Sequence, residues 1–117
     1  MADKNSFIQS VNTGYTFKGE SFVVGAAILN GEVLSEALVR LPLKTLNRHG
    51  LIAGATGTGK TKTLQVIAEG LSNASVPVMV MDIKGDFSGI AEQGSLNDKI
   101  KERYGKMALE YVPGSFP

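Results

Sequence analysis

Gly54-Ala55-Thr56-Gly57-Thr58-Gly59-Lys60-Thr61 matches G-x-x-x-x-G-K-[ST], the Walker A pattern, at every fixed position. A loop that cradles a polyphosphate must turn its backbone N–H groups inward, which bulky side chains and ordinary φ/ψ angles prevent. Gly54, Gly57 and Gly59 remove that obstruction. Lys60 then brings an ammonium to the outer phosphates and Thr61 offers a hydroxyl to Mg²⁺. The helix expected to begin here points its positive end at the same anion. Lys62, two residues into that helix, completes a candidate nucleotide-binding stretch of Gly54, Ala55, Thr56, Gly57, Thr58, Gly59, Lys60, Thr61 and Lys62. The alternative is a glycine-rich turn with a surface lysine. The flanks argue against it, because Leu51-Ile52-Ala53 is a short apolar run and Thr61 to Leu71 carries helical periodicity, the strand-to-helix setting the motif requires. The dinucleotide fingerprint G-x-G-x-x-G fails, since Lys62 stands where its third glycine belongs.

Downstream, Leu64, Ile67, Ala68 and Leu71 fall at i, i+3, i+4 and i+7, with Lys62, Gln65 and Glu69 on the other face, so the helix is expected to pack on a sheet and end near Ser72-Asn73. Val76-Pro77-Val78-Met79-Val80-Met81 reads as a buried strand, apolar on both faces as parallel strands between helices are. Ligands of such sheets bind beyond the carboxyl ends of the strands, which is where Asp82-Ile83-Lys84-Gly85-Asp86 lies. Asp82 is therefore a candidate to face the nucleotide, against the plainer reading of Asp82 and Asp86 as turn-forming or capping residues.

Upstream, residues 3 to 13 predict a short helix capped by Asp3 or Asn5 and stopped at Gly14. Ser21 to Leu29 followed by Asn30-Gly31 predicts a β-hairpin with a two-residue turn. Val39, Leu41 and Leu43 alternate with Arg40 and Pro42, a further strand that the proline places at an edge or an end. Residues 1–43 thus form a helix and β-hairpin accessory unit, and 44–117 the beginning of a phosphate-loop domain. Arg48 and His49, in the connector between them, fall near the expected nucleotide and invite a functional reading, against the plainer one of solvated loop residues or partners of nearby carboxylates. Ser95-Leu96-Asn97-Asp98 opens a short helix running to about Tyr104 as a variant capping box, with its charges on a solvated face.

Composition narrows the function further. The 117 residues, 43% of them hydrophobic, allow one small core, and a net charge of +1 gives no independent sign of nucleic acid or membrane binding. With no cysteine and a single histidine, neither a disulfide scaffold nor a zinc site is expected, so metal arrives with the nucleotide. No apolar run approaches a membrane span or a signal core, which predicts a cytoplasmic chain.

The segment from Leu41 through Thr61, continuing through Thr63-Leu64-Gln65, together with Asp82-Ile83-Lys84-Gly85-Asp86-Phe87-Ser88-Gly89, resembles HerA-like bacterial ATPases, within the wider HerA/FtsK group of DNA-translocating motors. The resemblance covers most of residues 15 to 94. It implies an α/β fold with a RecA-like parallel sheet, ATP and Mg²⁺ as cofactors, ring-shaped homo-oligomers, and duplex DNA as the track. Members of that group also carry a downstream acidic strand with a catalytic glutamate, and no such motif follows Gly89. The chain therefore reads as the N-terminal piece of a longer protein, with an incomplete sheet whose two strands here are separated by others. On that reading it binds ATP-Mg, while hydrolysis waits on further sequence. A stand-alone nucleotide-binding or interaction fragment is the alternative, and a small-molecule phosphotransferase a weaker one.

Overall fold

The computed structural model describes residues 3–117. They fall into two compact units. The first holds the chain up to Asn47 together with Leu96–Tyr111, and the second holds Arg48–Ser95 with Val112–Pro117.

In the first unit, helix α1 (Lys4–Gly14) is capped by Asp3, whose carboxylate accepts the Asn5 amide at 3.4 Å. Its end differs from expectation. Gly14 is not left-handed, and Tyr15 closes the helix with φ −118°, its amide donating to the Val11 carbonyl. The α1 helix packs on β2. Strands β1 (Ser21–Leu29) and β2 (Glu32–Pro42) pair antiparallel, joined by Asn30 and Gly31 at φ 51° and 82°. Two positive φ values in a two-residue connection make the mirror-image turn whose twist matches the strands it joins. The strand expected separately at Val39–Leu43 is the far end of β2, with Pro42 opposite Ser21 at the sheet's end, where its missing N–H breaks no ladder. Between Ala26 and Ala27 the partner jumps from Leu38 to Leu34, a bulge on β2 that carries the fully enclosed Ala37. The first unit is completed by a helix within Leu96–Tyr111.

That C-terminal helix, α3 (Asp98–Lys106), is capped by Asn97, whose side chain accepts the Ile100 amide at 2.9 Å. The cap is thus Asn97 and not the Ser95 of the expected box. Tyr104 meets Tyr111 edge-on, with ring centroids 5.3 Å apart.

The second unit is organised around helix α2 (Lys60–Asn73). Its buried line is Gln65 and Ala68, while Leu64 is 42% exposed, so the helix presents a face rotated by one residue from the one its apolar spacing predicts. The two segments expected as strands, Leu51–Ala53 and Val76–Met81, join no sheet among the described residues, where the β1–β2 pair is the only one. Along the second segment exposure still alternates: Val76, Val78 and Val80 are 38–40% exposed, Met79 and Met81 87%. No helix among the described residues is long and apolar enough to cross a membrane.

The hairpin turn yields a direct test. Replacing Asn30 by Val forces a β-branched residue to φ 51°, a strain of about 1–3 kcal/mol. The midpoint of urea unfolding is expected to fall accordingly, with Asn30→Gly close to the parent protein.

Candidate functional site

Between the apolar Leu51–Ala53 and α2, the chain makes a tight loop with two left-handed glycines, Gly57 at φ 79° and Gly59 at φ 95°. Gly54 is required for a different reason. A Cβ there would stand 2.7 Å from the Thr58 hydroxyl oxygen, and that hydroxyl is held in place by a 2.7 Å hydrogen bond to the Ala55 carbonyl.

The Ala55 carbonyl gathers three donors: the Thr58 amide at 3.3 Å, the Thr58 hydroxyl at 2.7 Å and the Lys60 ammonium at 2.7 Å. A carbonyl presents two lone pairs and an ammonium three protons. Lys60 is therefore folded back over the loop with donors to spare, and its contact is the one most readily shared with an incoming anion.

Helix α2 begins on Gly59, which has no side chain to cap it, and its first turn contains no acidic residue. The first helical bond is donated by the Thr63 amide to the Gly59 carbonyl at 2.9 Å, with the Thr63 hydroxyl on the same acceptor at 3.2 Å. The amides of Lys60, Thr61 and Lys62 precede it, so the positive end of the helix is left uncompensated and turned to the loop.

A pocket of about 680 Å³ opens here, lined from one side by Thr56, Gly57, Gly59, Lys60, Thr61, Lys62 and Leu64, and from the other by Met81, Asp82, Ile83, Lys84, Asp86 and Phe87. The structure thus brings Asp82 to the same pocket as the glycine loop. Gly54, Ala55 and Thr58 form the loop's frame. Arg48 and His49 are exposed.

Asp82 also holds its own segment together. Its two carboxylate oxygens accept the Lys84 amide at 3.1 Å and the Phe87 amide at 2.7 Å. Those backbone bonds, the one from Phe87 foremost, keep its carboxyl below the ordinary carboxylate range, against a smaller opposing effect of desolvation. Gly85 turns at φ 79°, the Ser88 hydroxyl donates to the Gly85 carbonyl at 3.0 Å, and Phe87 is only 7% exposed. On α2, burial raises the Glu69 carboxyl and the Lys62 ammonium lowers it, so Lys62 already has an opposite charge in its field.

Sequence reasoning singled out Asp82 and did not single out Lys84 or Phe87 as pocket residues. The signal that would have found them is the Asx-type turn of Asp82 ahead of Gly85, which fixes the backbone of both.

Residues 28–117 match the family model of the helicase HerA-like C-terminal region, and the chain belongs to that family. No curated protein and no solved structure matches the chain.

The Asp82 turn has a pH signature. A carboxyl with a depressed folded-state pKa stabilises the turn above its unfolded pKa, and that stabilisation is lost as pH falls through the folded value. The Phe87 amide is therefore expected to keep its protection from hydrogen exchange at neutral pH and lose it only below the ordinary carboxylate range. In Asp82→Ala the protection is lost at neutral pH while the Thr63 amide of α2 keeps its own.

Proposed function

We propose that the chain binds ATP with Mg²⁺ through Gly54–Lys62 as the nucleotide-binding part of a DNA-translocating motor ATPase of the HerA-like group. The observation that carries this reading is the loop itself: two left-handed glycines run into an uncapped helix start, with the Lys60 ammonium bent over the loop. These are the parts of an anion cradle, and family membership supports a nucleotide as the anion. The residues fit the group. Gly54 leaves room where a Cβ would collide with Thr58, the first-turn amides and Lys60 meet phosphate, and Thr61, which lines the pocket, supplies the hydroxyl for magnesium. Magnesium, when bound, neutralises charge on the phosphates.

In this reading the uncovered strand-like segments belong to a RecA-like parallel sheet, a proposal supported by the alternating exposure from Val76 to Met81. The assembly is a homo-oligomeric ring acting on duplex DNA in the cytoplasm. A second reading, binding without turnover by this chain, is favoured by one observation: both oxygens of Asp82, the acid in the pocket with a defined role, are committed to backbone amides rather than to a water. Phosphate release by this chain is accordingly expected to stay at background, with or without duplex DNA, and DNA-stimulated turnover would overturn the second reading.

Titration with a fluorescent ATP analogue tests the site. Loss of a charge-assisted contact worth about 1.5–3 kcal/mol predicts roughly ten- to hundred-fold weaker binding in Lys60→Ala. Lys62→Ala is expected to change affinity much less, its charge lying in the field of Glu69. Wild-type affinity in both variants would refute the assignment.

A further inference from the structure

We infer that Lys84 is a second phosphate-binding cation of the pocket, reading the terminal phosphate of a nucleoside triphosphate. This rests on the nucleotide reading above and extends it to a residue outside the glycine loop.

Three observations carry it. Lys84 lines the pocket together with Lys60, on the wall formed by Met81–Phe87. Its backbone is held rigidly for an exposed turn: its amide donates to Asp82 at 3.1 Å, the next residue is the left-handed Gly85, and the turn is anchored by the buried Phe87 with its 2.7 Å bond to the same carboxylate. A side chain on so constrained a backbone is presented to the pocket at less entropic cost than one on a free loop.

The third observation concerns charge. Among the described residues the ion pairs are Lys4 with Glu32 and Lys106 with Glu102, so Lys84 enters none. The acids two residues away on either side, Asp82 and Asp86, both line the pocket; Asp82 spends its oxygens on backbone N–H groups and Asp86 enters no ion pair with the ammonium. Lys62, by contrast, is partly offset by Glu69. Lys84 is left as an uncommitted cation facing a site whose ligand carries several negative charges, which one loop lysine does not balance alone. The loop amides and Lys60 enclose the phosphates seated within the loop. On that reading Lys84, on the opposite wall, would be left to meet the terminal phosphate, which distinguishes a triphosphate from a diphosphate.

Binding of Mg-ATP and Mg-ADP, measured by calorimetry on the full chain and on Lys84→Ala, Lys84→Arg, Lys60→Ala and Lys99→Ala, tests the inference. Lys99, exposed on α3, controls for loss of one positive charge in general. Lys84→Ala is expected to weaken ATP by about ten-fold and ADP by less than about two-fold, as loss of one charge-assisted contact to the terminal phosphate requires. Lys84→Arg should recover most of the loss. The Lys84 side chain makes none of the turn's hydrogen bonds, so an unchanged Phe87 amide protection identifies the variant as folded. If Lys60→Ala loses binding while Lys84→Ala leaves ATP untouched, or weakens ATP and ADP equally, the inference is wrong and the glycine-loop reading stands. If Lys60→Ala binds as the parent does, the nucleotide reading fails and this inference falls with it.

Discussion

The hydrogen bond from the Lys60 ammonium to the Ala55 carbonyl, 2.7 Å long, closes the glycine loop on itself and decides what the second unit can do. It exists only because the chain reverses hand twice, at Gly57 and Gly59, before α2 begins. An L side chain at either position would be strained, by about 1–3 kcal/mol, in the conformation that brings Lys60 to its acceptor. One bond therefore brings a cation, a helix dipole and a set of unpaired amides to the same place. Its acceptor is also over-subscribed, with Thr58 donating twice to the same oxygen, so the loop holds Lys60 without binding it irreversibly.

The opposite wall is built by a different device. Asp82 places a carboxylate where three consecutive structural needs meet: the amide of Lys84, the amide of Phe87, and the reversal at Gly85. Here charge is used to order backbone, and the low carboxyl pKa is the electrostatic trace of that use. The same residue lines the pocket and organises its wall. The choice between a nucleotide-facing acid and a turn-former, open from sequence, is therefore not exclusive.

Where the chemistry was local, the sequence was legible. Asn30-Gly31 specifies its own turn, since few other pairs accept positive φ at both positions, and Asp3 caps its helix as short-range bonding requires. Where tertiary packing chose, it was not. Leu64 was expected inside and Gln65 outside, yet α2 buries Gln65 with Ala68, because Leu64 stands at the pocket. Periodicity identifies a stripe about 100° wide and cannot say which edge of it meets the neighbour. The cap of α3 slipped from Ser95 to Asn97 for a related reason: both residues have capping side chains, and the spacing alone does not rank them. The family match begins at residue 28, within β1, so the hairpin's second strand is as much a part of the family's domain as the glycine loop.

Few side chains of the second unit are enclosed: Ala68, Gln65 and Phe87 among the described residues, while Leu51, Met79, Met81 and Ile83 are almost wholly exposed. Apolar burial is normally the dominant source of stability, so this unit draws little rigidity from packing. The order of its two pocket walls comes instead from short-range polar bonds, Ala55 with Thr58 and Lys60 on one side and Asp82 with Lys84 and Phe87 on the other. Such bonds are each worth little net, about 0.5–1.5 kcal/mol for the neutral Ala55–Thr58 pair, with those of Lys60 and Asp82 strengthened by charge. Binding an anion adds contacts to the same groups in the folded state only, and by mass action that shifts the folding equilibrium toward it. In a packed core, ligand binding is a small increment on an already rigid site. The residues proposed to hold the ligand are also those whose short-range bonds order the two walls, so on that reading occupancy adds to local order.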